Sequence, residues 1–298
     1  MLFIYKPTIN SILRNTLKPI VKLLPEKYQF PINGNFTIQL GQNKKIHWIT
    51  NPTSYISRIL FWNGLTGFEY SAVRIFMQLA TQSKCFFDIG ANMGYYSMVA
   101  TAMNSSIKVV GFEPLPAANK YFHLIAQANN FKNITIEQTA LSNFTGTAQF
   151  SAIKNPKFID IQDQLAGDGG LSEKFSGARS VFKFDVAVDT LDNYVLQKLP
   201  SNLKIDLIKL DTEASEHLVL AGANNVLQNH RPIIQCEVLP GQIEKELQII
   251  FDRNNYSFFQ TQDKGLKKVQ SLEHTNSDNK DYFLVPKELE FKVSSFIV

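Results

Sequence analysis

Hydrophobic and polar positions divide the chain into two parts with different patterns. In the longer, C-terminal part, short apolar runs of strand length alternate with stretches in which apolar residues recur every three or four positions. This alternation predicts an α/β domain with a doubly wound, mostly parallel sheet. The first predicted strands lie near 85–89, 108–112 and 134–138, and the predicted helices lie near 94–103 and 116–130.

Two more predicted strands, at 147–153 and 181–188, enclose an insertion at 154–180. So long a loop in a compact domain is typical of a lid or a mobile segment. The alternative is a disordered surface loop. The insertion is rich in turn residues, among them Gly167, Gly169, Gly170 and Gly177.

The last third of the chain continues the alternation. Apolar strand patterns at 206–211 and 232–237 each end in an acid, and a helical pattern follows at 242–254. Two apolar runs, at 256–260 and 282–285, close the predicted sheet. We therefore assign residues 83–298 to one α/β domain.

Residues 1–82 form a predicted N-terminal extension that caps this domain. Within it, residues 8–24 place apolar side chains at helical spacing with basic residues opposite, and Pro19 should kink or split this helix. Two interpretations stay open, a basic helix on a membrane surface or a cap helix packed on the main domain. No apolar run is long enough to span a membrane, and polar residues interrupt every candidate signal-peptide core.

Charge and cysteine content limit the classes of partner and the compartment. The net charge is +4, and residues 1–27 carry five basic residues against Glu26, which accounts for all of it. The neutral remainder argues against a nucleic-acid partner, which would require a basic folded face. Cys85 and Cys236 each lie in an apolar run, so we expect buried free thiols and a reducing, cytoplasmic location, with contact at the inner membrane face through residues 8–24 as an option.

The strand near 85–89 leads into a loop typical of nucleotide-type cofactors. Asp88 is followed by Gly90 and Gly94, and a helical pattern begins at Tyr95. Glycine lets a backbone pass close to a ligand, and the helix N-terminus presents free N–H groups. Glu113 follows Gly94 by 19 positions (113 − 94), about the spacing at which a second-strand acid reaches ribose hydroxyls.

The acid before the first glycine distinguishes two enzyme classes. A dinucleotide-binding domain typically shows G-x-G-x-x-G without a preceding acid. Here the pattern is Asp-x-Gly-x-x-x-Gly, which fits S-adenosylmethionine-dependent methyltransferases better. A nicotinamide-dependent oxidoreductase is the second enzyme hypothesis, and a cofactor-binding module without turnover is the non-enzyme alternative.

Four predicted core strands end in acids, namely Asp88, Glu113, Asp211 and Glu237. Because ligands bind at the carboxyl ends of strands in open α/β sheets, these acids predict a site there. Lys209 lies two positions before Asp211 and therefore on the same face of its strand. It is either a structural ion-pair partner or part of the catalytic site.

The segment after Asp211 is predicted to open a helix. Glu213 and Glu216 are three positions apart, so both can lie on one face near its N-terminus, where acids also compensate the helix dipole. His217 is a candidate general base, with a surface imidazole as the alternative. The histidines show no metal-ligand spacing, so we predict no metal, although Asp211, Glu213 and Glu237 offer a weaker alternative site for Mg²⁺.

The chain resembles the FkbM family of S-adenosylmethionine-dependent methyltransferases over roughly residues 69–240. The principal motif is Phe87-Asp-Ile-Gly-Ala-Asn-Met-Gly-Tyr-Tyr-Ser97. Other matching pieces are residues 112–114, 140–142 with Gly146, 169–172, 190–192, 208–216 with Gly222 and Ala223, and 231–237. The resemblance implies a Rossmann-like class I methyltransferase fold with a seven-stranded sheet and an N-terminal helical extension. It also implies transfer to a hydroxyl of a small molecule, sugar or glycan.

The same resemblance implies roles for individual residues. The expected cofactor-binding residues are Asp88, Gly90, Ala91, Asn92, Gly94, Tyr95, Glu113, Pro114, Ala140, Leu141 and Ser142. The expected catalytic residues are Asp211, Glu213 and Lys209, and the expected substrate-binding residues are Glu216, His217 and Glu237. The chain departs from the family at Ala214, where a glycine is usual, and we expect negative φ there.

Overall fold

A computed structural model of the protein describes residues 3–23, 25–41, 43–165, 169–171, 180–272 and 280–298. The strands are β1 (Gly34–Gly41), β2 (Lys44–Thr50), β3 (Cys85–Ile89), β4 (Lys108–Phe112), β5 (Ile134–Glu137), β6 (Ala140–Leu141), β7 (Gly146–Ile153), β8 (Gly169–Gly170), β9 (Val181–Asp189), β10 (Leu207–Leu210), β11 (Ile233–Glu237), β12 (Tyr256–Gln262), β13 (Gly265–Val269) and β14 (Asp281–Pro286). The helices are α1 (Pro7–Leu17), α2 (Tyr55–Asn63), α3 (Tyr70–Gln82), α4 (Tyr95–Met103), α5 (Pro116–Ala128), α6 (Leu191–Lys198), α7 (Glu216–Ala221) and α8 (Glu244–Arg253).

The main sheet has the strand order β13-β12-β14-β11-β10-β3-β4-β5. Strands β3, β4, β5, β10 and β11 are mutually parallel, whereas β14 pairs antiparallel with both β11 and β12. The predicted α/β sheet is confirmed, but it has eight strands rather than seven. The extra strand is β13, which forms a hairpin with β12 at the sheet edge. The sequence of β13 is Gly-Leu-Lys-Lys-Val, which does not alternate between apolar and polar residues. This pattern was too weak to indicate a strand.

The strand order reverses at β3, which lies between β4 and β10. Every residue of β3 and of β10 is buried, because apolar clusters cover both faces of the sheet. One cluster contains residues of α3, α4 and α5, and the other contains residues of α6, α7 and α8. A crevice at the carboxyl ends of the central strands follows from this topology.

A second sheet, of order β6-β9-β7-β8, contains the strands predicted at 147–153 and 181–188. The insertion predicted at 154–180 lies between β7 and β9. Its described part includes a turn at Pro156–Phe158 and strand β8, in which Gly169 and Gly170 pair with β7. Residues 166–168 and 172–179, with Gly167, Ser172 and Gly177, lie outside the described residues, so the lid stays a prediction.

The N-terminal part packs directly on the main sheet. The β1–β2 hairpin lies against α4 and α5, and Lys44 Nζ donates to the Ala102 carbonyl at 3.0 Å. Trp48 of β2 is fully buried in the same apolar core as Phe86 of β3. The domain division at residue 82 stays a prediction.

Three other expectations concern local features. Helix α1 ends at Leu17 and continues as a 3₁₀ helix over Lys18–Leu23, so the predicted split at Pro19 is confirmed. Both cysteines are free and buried, as predicted. Within the described ranges, no helix has the length and apolar character needed to cross a membrane.

Candidate cofactor and acceptor site

A cavity of about 650 Å³ lies where the central strands end. The ends of β3, β4, β10 and β11 form its floor, and residues of the N-terminal part between Thr53 and Glu69 contribute to its wall. Residues of the insertion, including Lys154 and Leu171, line it as well. The cavity is therefore assembled from three separate parts of the chain.

The loop between β3 and α4 requires glycine for packing as well as for conformation. Gly90 has φ +79°, and a Cβ atom there would lie 1.7 Å from the Asp211 carbonyl oxygen. Gly94 has φ +77°, and a Cβ atom there would lie 2.3 Å from the Phe122 ring. Both glycines let the loop sit tightly between the end of β10 and α5, but only Gly90 lines the cavity.

Asp88 lines the cavity, but its carboxylate is bonded to the first turn of α4. Its Oδ2 atom accepts hydrogen bonds from the Ser97 amide at 3.0 Å and the Ser97 hydroxyl at 2.6 Å. Burial raises the pKa of Asp88 to about 6, although the Ser97 hydrogen bonds oppose this rise. Asp88 therefore fixes the loop to the helix.

Glu113 is held in place by two backbone donors. The amides of Asn92 and Leu115 each donate to one of its carboxylate oxygens, both at 2.7 Å. Burial raises the pKa of Glu113 to about 7, against the effect of these hydrogen bonds. Because each carboxylate oxygen accepts more than one hydrogen bond, Glu113 retains acceptor capacity toward the cavity that it lines with Pro114.

Other expected cofactor residues divide into those that line the cavity and those that do not. Ala91, Asn92, Tyr95, Ala140 and Leu141 line it. The side-chain oxygen of Asn92 is buried and has no hydrogen-bond partner among the described residues. Such an orphaned acceptor at a cavity wall indicates a ligand donor.

Ser142 follows the lining residues Ala140 and Leu141 but does not itself line the cavity, and its cofactor role stays a prediction. Its amide donates to the Asp189 carbonyl at 2.9 Å and thereby continues the pairing of β6 with β9. Gly94 is likewise a packing residue rather than a wall residue, because it faces Phe122.

Lys209 is the centre of a buried charge cluster at another wall of the cavity. Its Nζ atom lies 3.5 Å from Asp211 Oδ2, 3.6 Å from Asp281 Oδ1 and 3.7 Å from Glu69 Oε2. The predicted proximity of Lys209 and Asp211 is confirmed. Burial by itself lowers the pKa of the Lys209 ammonium, but the carboxylates, Glu69 foremost, raise this pKa well above its usual value.

Glu69 is a cavity residue that sequence reasoning missed. It precedes α3 with φ +44°, and its carboxylate accepts a 2.6 Å hydrogen bond from the Tyr96 hydroxyl. The Tyr96 hydroxyl in turn accepts from Gln235 Nε2 at 2.7 Å. Burial raises the pKa of Glu69 to about 7, although Lys209 opposes this rise. An acid between apolar residues at a helix start was the available signal.

Glu237 and Asp281 complete the acidic surroundings of Lys209. Glu237 ends β11 and lines the cavity, and burial followed by the charge of Asp211 raises its pKa to about 8. Asp281 lies opposite Glu237 in the antiparallel pair of β11 and β14. It was missed because the order of strands in the sheet, and not the local pattern, brings it here.

The segment after Asp211 differs from the predicted helix start. Helix α7 begins at Glu216, and the preceding Glu213 and Ala214 have φ +55° and +72°. The expectation of negative φ at Ala214 is therefore wrong. The turn is closed by Thr212, whose amide donates to Glu216 Oε1 at 2.6 Å. Glu213 lines the cavity from this left-handed turn.

Glu216 and His217 do not line the cavity, and their role in substrate binding stays a prediction. The Glu216 carboxylate turns back to the amide and hydroxyl of Thr212 and is buried. Burial raises its pKa to about 7. In the described ranges, no group of three or more His, Cys, Asp or Glu side chains is arranged to hold a metal ion.

Comparison with solved structures gives several distant methyltransferases. One is the methyltransferase FkbM from Methylobacillus flagellatus KT, with 15% identity and a TM-score of 0.44 over 67% of this chain and 43% of that chain. The present chain therefore spans less than half of that relative. Another is M. jannaschii TYW2 in complex with AdoMet, with 10% identity and a TM-score of 0.42 over 86% of each chain.

A third is precorrin-6y C5,15-methyltransferase from Geobacter metallireducens GS-15, with 11% identity and a TM-score of 0.38 over 72% of this chain and 85% of that chain. No curated protein matches this chain. The methyltransferase FkbM domain, in contrast, matches residues 88–269, which is more than half of the 298 residues. This match contains the β3–α4 loop, Glu113, Lys209 and Asp211. The chain belongs to the FkbM methyltransferase family, and its fold is that of a class I methyltransferase.

Proposed function

We propose that the protein transfers a methyl group from S-adenosylmethionine to a hydroxyl oxygen of a small molecule, sugar or glycan. One observation carries the proposal. A single cavity joins the β3–α4 loop and Glu113 to the Lys209 charge cluster. The residues proposed to bind the cofactor and those proposed to move a proton thus line one cavity.

The first wall fits the cofactor. Glu113 is oriented by two amides and keeps acceptor capacity for ribose hydroxyls, and Asn92 has an orphaned buried oxygen. Gly90 brings the loop backbone close to the end of β10, where a side chain would not fit. When bound, S-adenosylmethionine supplies an electrophilic methyl group on a sulfonium.

The second wall fits an acceptor that must lose a proton. A hydroxyl becomes a good nucleophile only when a base removes its proton. Asp211 is the proposed base, and Lys209 at 3.5 Å holds it in place. Glu69 and Glu237, with pKa values raised to about 7 and about 8, can hold or release a proton near neutral pH. Glu213 at the same wall is a second candidate base.

A binding comparison tests the cofactor. We expect calorimetry to show binding of S-adenosylmethionine and no comparable binding of NAD, because the loop has an acid before its first glycine. Preferential NAD binding would support the oxidoreductase hypothesis instead. Incubation with cell extract and S-adenosylmethionine should then produce a compound heavier by one methylene, detected by mass spectrometry. Cofactor binding without any such product would indicate a module without turnover.

A further inference from the structure

Helix α1 packs on the protein through polar side chains. Asn10 is fully buried and donates to the Pro31 carbonyl at 3.0 Å, and its Oδ1 atom accepts from the Asn33 amide at 2.9 Å. Arg14, one helical turn later, is 3% exposed and donates to the Asn33 carbonyl at 3.3 Å. The inner side of this amphipathic helix is therefore fixed by hydrogen bonds.

Leu17 and Val21 of this segment pack with Phe61 and Trp62, but other apolar side chains are exposed. Ile12 is 62% exposed, Leu13 36% and Ile20 46%, and Phe3 before the helix is 66% exposed. Ile12 and Leu13 lie on α1, Ile20 lies on the 3₁₀ helix that follows it, and Thr16 between them is also exposed. A row of exposed apolar side chains on a helix is typical of an interaction surface.

The charge around this row selects one class of partner. Residues 1–25 contain no Asp or Glu, and Lys6 is exposed beside Phe3, whereas the Lys18 ammonium lies 4.3 Å from the centre of the buried Phe61 ring. Lys6 Nζ lies 5.4 Å from the centre of the Phe3 ring, so the charge and the apolar group are neighbours. An anionic lipid bilayer has negatively charged head groups above apolar acyl chains. A lysine beside apolar side chains fits such a surface.

We propose that Phe3, Lys6, Ile12, Leu13 and Ile20, here called the N-terminal surface, bind the face of an anionic lipid bilayer. The apolar side chains enter the interface between head groups and acyl chains, and Lys6 remains at the head groups. The residues of α1 that fix it to the protein, Asn10 and Arg14, are thus separate from those of the N-terminal surface.

A groove next to this surface shares two lining residues with the catalytic cavity. A groove lined by Ile4, Tyr5 and Tyr28 is also lined by Thr53 and Tyr55. Both of the latter residues line the catalytic cavity as well. Docking of the N-terminal surface therefore holds this groove beside the membrane.

Vesicle sedimentation of the full chain tests the proposal. We expect the protein to sediment with vesicles of phosphatidylcholine and phosphatidylserine, and to bind pure phosphatidylcholine vesicles less well. Binding should decrease as salt is added, because ions screen the attraction of lysines to anionic lipid. Equal binding to both kinds of vesicle at all salt concentrations, or no binding to either, would overturn the proposal.

The decisive variant combines Ile12→Ser, Leu13→Ser and Ile20→Ser. These side chains are exposed, so the melting temperature should not fall, while vesicle binding should weaken at least about tenfold from the loss of apolar burial. The matched control is Leu196→Ser on α6, where the leucine is 84% exposed and distant in sequence. This control should bind vesicles like the unchanged protein.

Two outcomes would replace the proposal. Equal vesicle binding by the triple variant and the control would remove the apolar row from the interaction. Alternatively, sedimentation velocity could show a dimer that the triple variant dissociates, without vesicle binding, and the surface would then join two copies. S-adenosylmethionine binding measured on the same samples should be unchanged in the variants, so a failure here is separate from a failure of the proposed methyl transfer.

Discussion

At the scale of single residues, four acids at the strand ends have four different surroundings. Asp88 is bonded to Ser97, and Glu113 accepts two backbone hydrogen bonds. Asp211 lies beside Lys209, and Glu237 has its pKa raised to about 8. The four acids therefore have different contacts, although the sequence pattern places them at equivalent strand ends.

The first prediction concerns Glu113. Glu113→Ala should weaken S-adenosylmethionine binding by about 1.5–3 kcal/mol, the range for hydrogen bonds to charged groups. Calorimetry on a variant with an unchanged circular dichroism spectrum measures this. Glu246→Ala, at an exposed position on α8, is the control and should have no effect. Unchanged affinity in a folded Glu113 variant would exclude Glu113 from the cofactor site.

The second prediction concerns Gly90. Gly90→Ala should destabilise the fold or abolish cofactor binding, because the new Cβ atom would lie 1.7 Å from the Asp211 carbonyl oxygen. The matched control is Gly241→Ala, which has a similar φ of +71° and nothing within 4 Å of the new atom. This control should cost only about 1 kcal/mol of unfolding free energy, from its backbone conformation. Equal urea unfolding midpoints for the two variants would contradict the close packing.

The third prediction concerns the proposed base. Asp211→Asn should keep the fold and the cofactor affinity and lose roughly 10²–10⁴-fold in methyl transfer, the usual contribution of general base catalysis. Glu213→Gln should lose less. The control is Asp185→Asn on an exposed position of β9. Parallel loss of cofactor binding and turnover would move Asp211 to the cofactor site, and full activity would remove it from the mechanism.

At the scale of elements, the turn between β10 and α7 has the most unusual backbone. Glu213 and Ala214 both have positive φ, which is uncommon for residues other than glycine. The turn is stabilised by the Thr212–Glu216 hydrogen bonds, which let it form despite the strain. The family glycine at position 214 would fit this conformation without strain.

The fourth prediction follows from this turn. Ala214→Gly should raise the free energy of unfolding by up to about 1 kcal/mol, because glycine has no penalty at φ +72°. Urea unfolding measures the change. Ala102→Gly in α4 is the contrast, since glycine within a helix should cost about 0.5–1 kcal/mol. If both variants were destabilised alike, Ala214 would have negative φ in solution.

At the scale of the whole molecule, the site concentrates buried carboxylates whose pKa values are raised. Burial raises the pKa to about 6 for Asp88 and to about 7 for Glu113 and Glu216. The unfolded chain releases these protons near its ordinary values of 3.8 for Asp and 4.5 for Glu. Folding therefore becomes less favourable as the pH rises between these values and about 7.

The fifth prediction is the resulting pH dependence of stability. Without cofactor, the melting temperature should be higher at about pH 5.5 than at about pH 7.5, because the folded protein holds protons that the unfolded chain has lost. Glu113→Gln should show a smaller decrease over the same window. The pKa of the Glu288 carboxylate is lowered to about 2, so this group does not change its charge between pH 5.5 and 7.5. A melting temperature that rises from pH 5.5 to 7.5 would contradict the raised pKa values of these buried acids.

Local patterns were sufficient for the central strands β3, β4, β10 and β11, the β3–α4 loop and the acids at the strand ends. Parallel strands bring their carboxyl ends to one edge, so Asp88, Glu113 and Asp211 could be placed together from sequence alone. The split helix at Pro19 was predictable for the same reason, since proline acts on its own neighbours. The edge strand β13 was missed because its pattern is weak.

Only the tertiary structure determined which side chains meet. Glu69 and Asp281 are more than 200 positions apart, yet both lie within 4 Å of Lys209 Nζ. Glu216 turns away from the cavity because Thr212 offers it two donors, and α1 turns Asn10 inward because Pro31 and Asn33 satisfy its amide. A sequence pattern specifies which face a residue occupies within its own element. The hydrogen-bond partners of a buried polar side chain come from distant segments of the chain. Their positions in the fold determine the direction in which that side chain points.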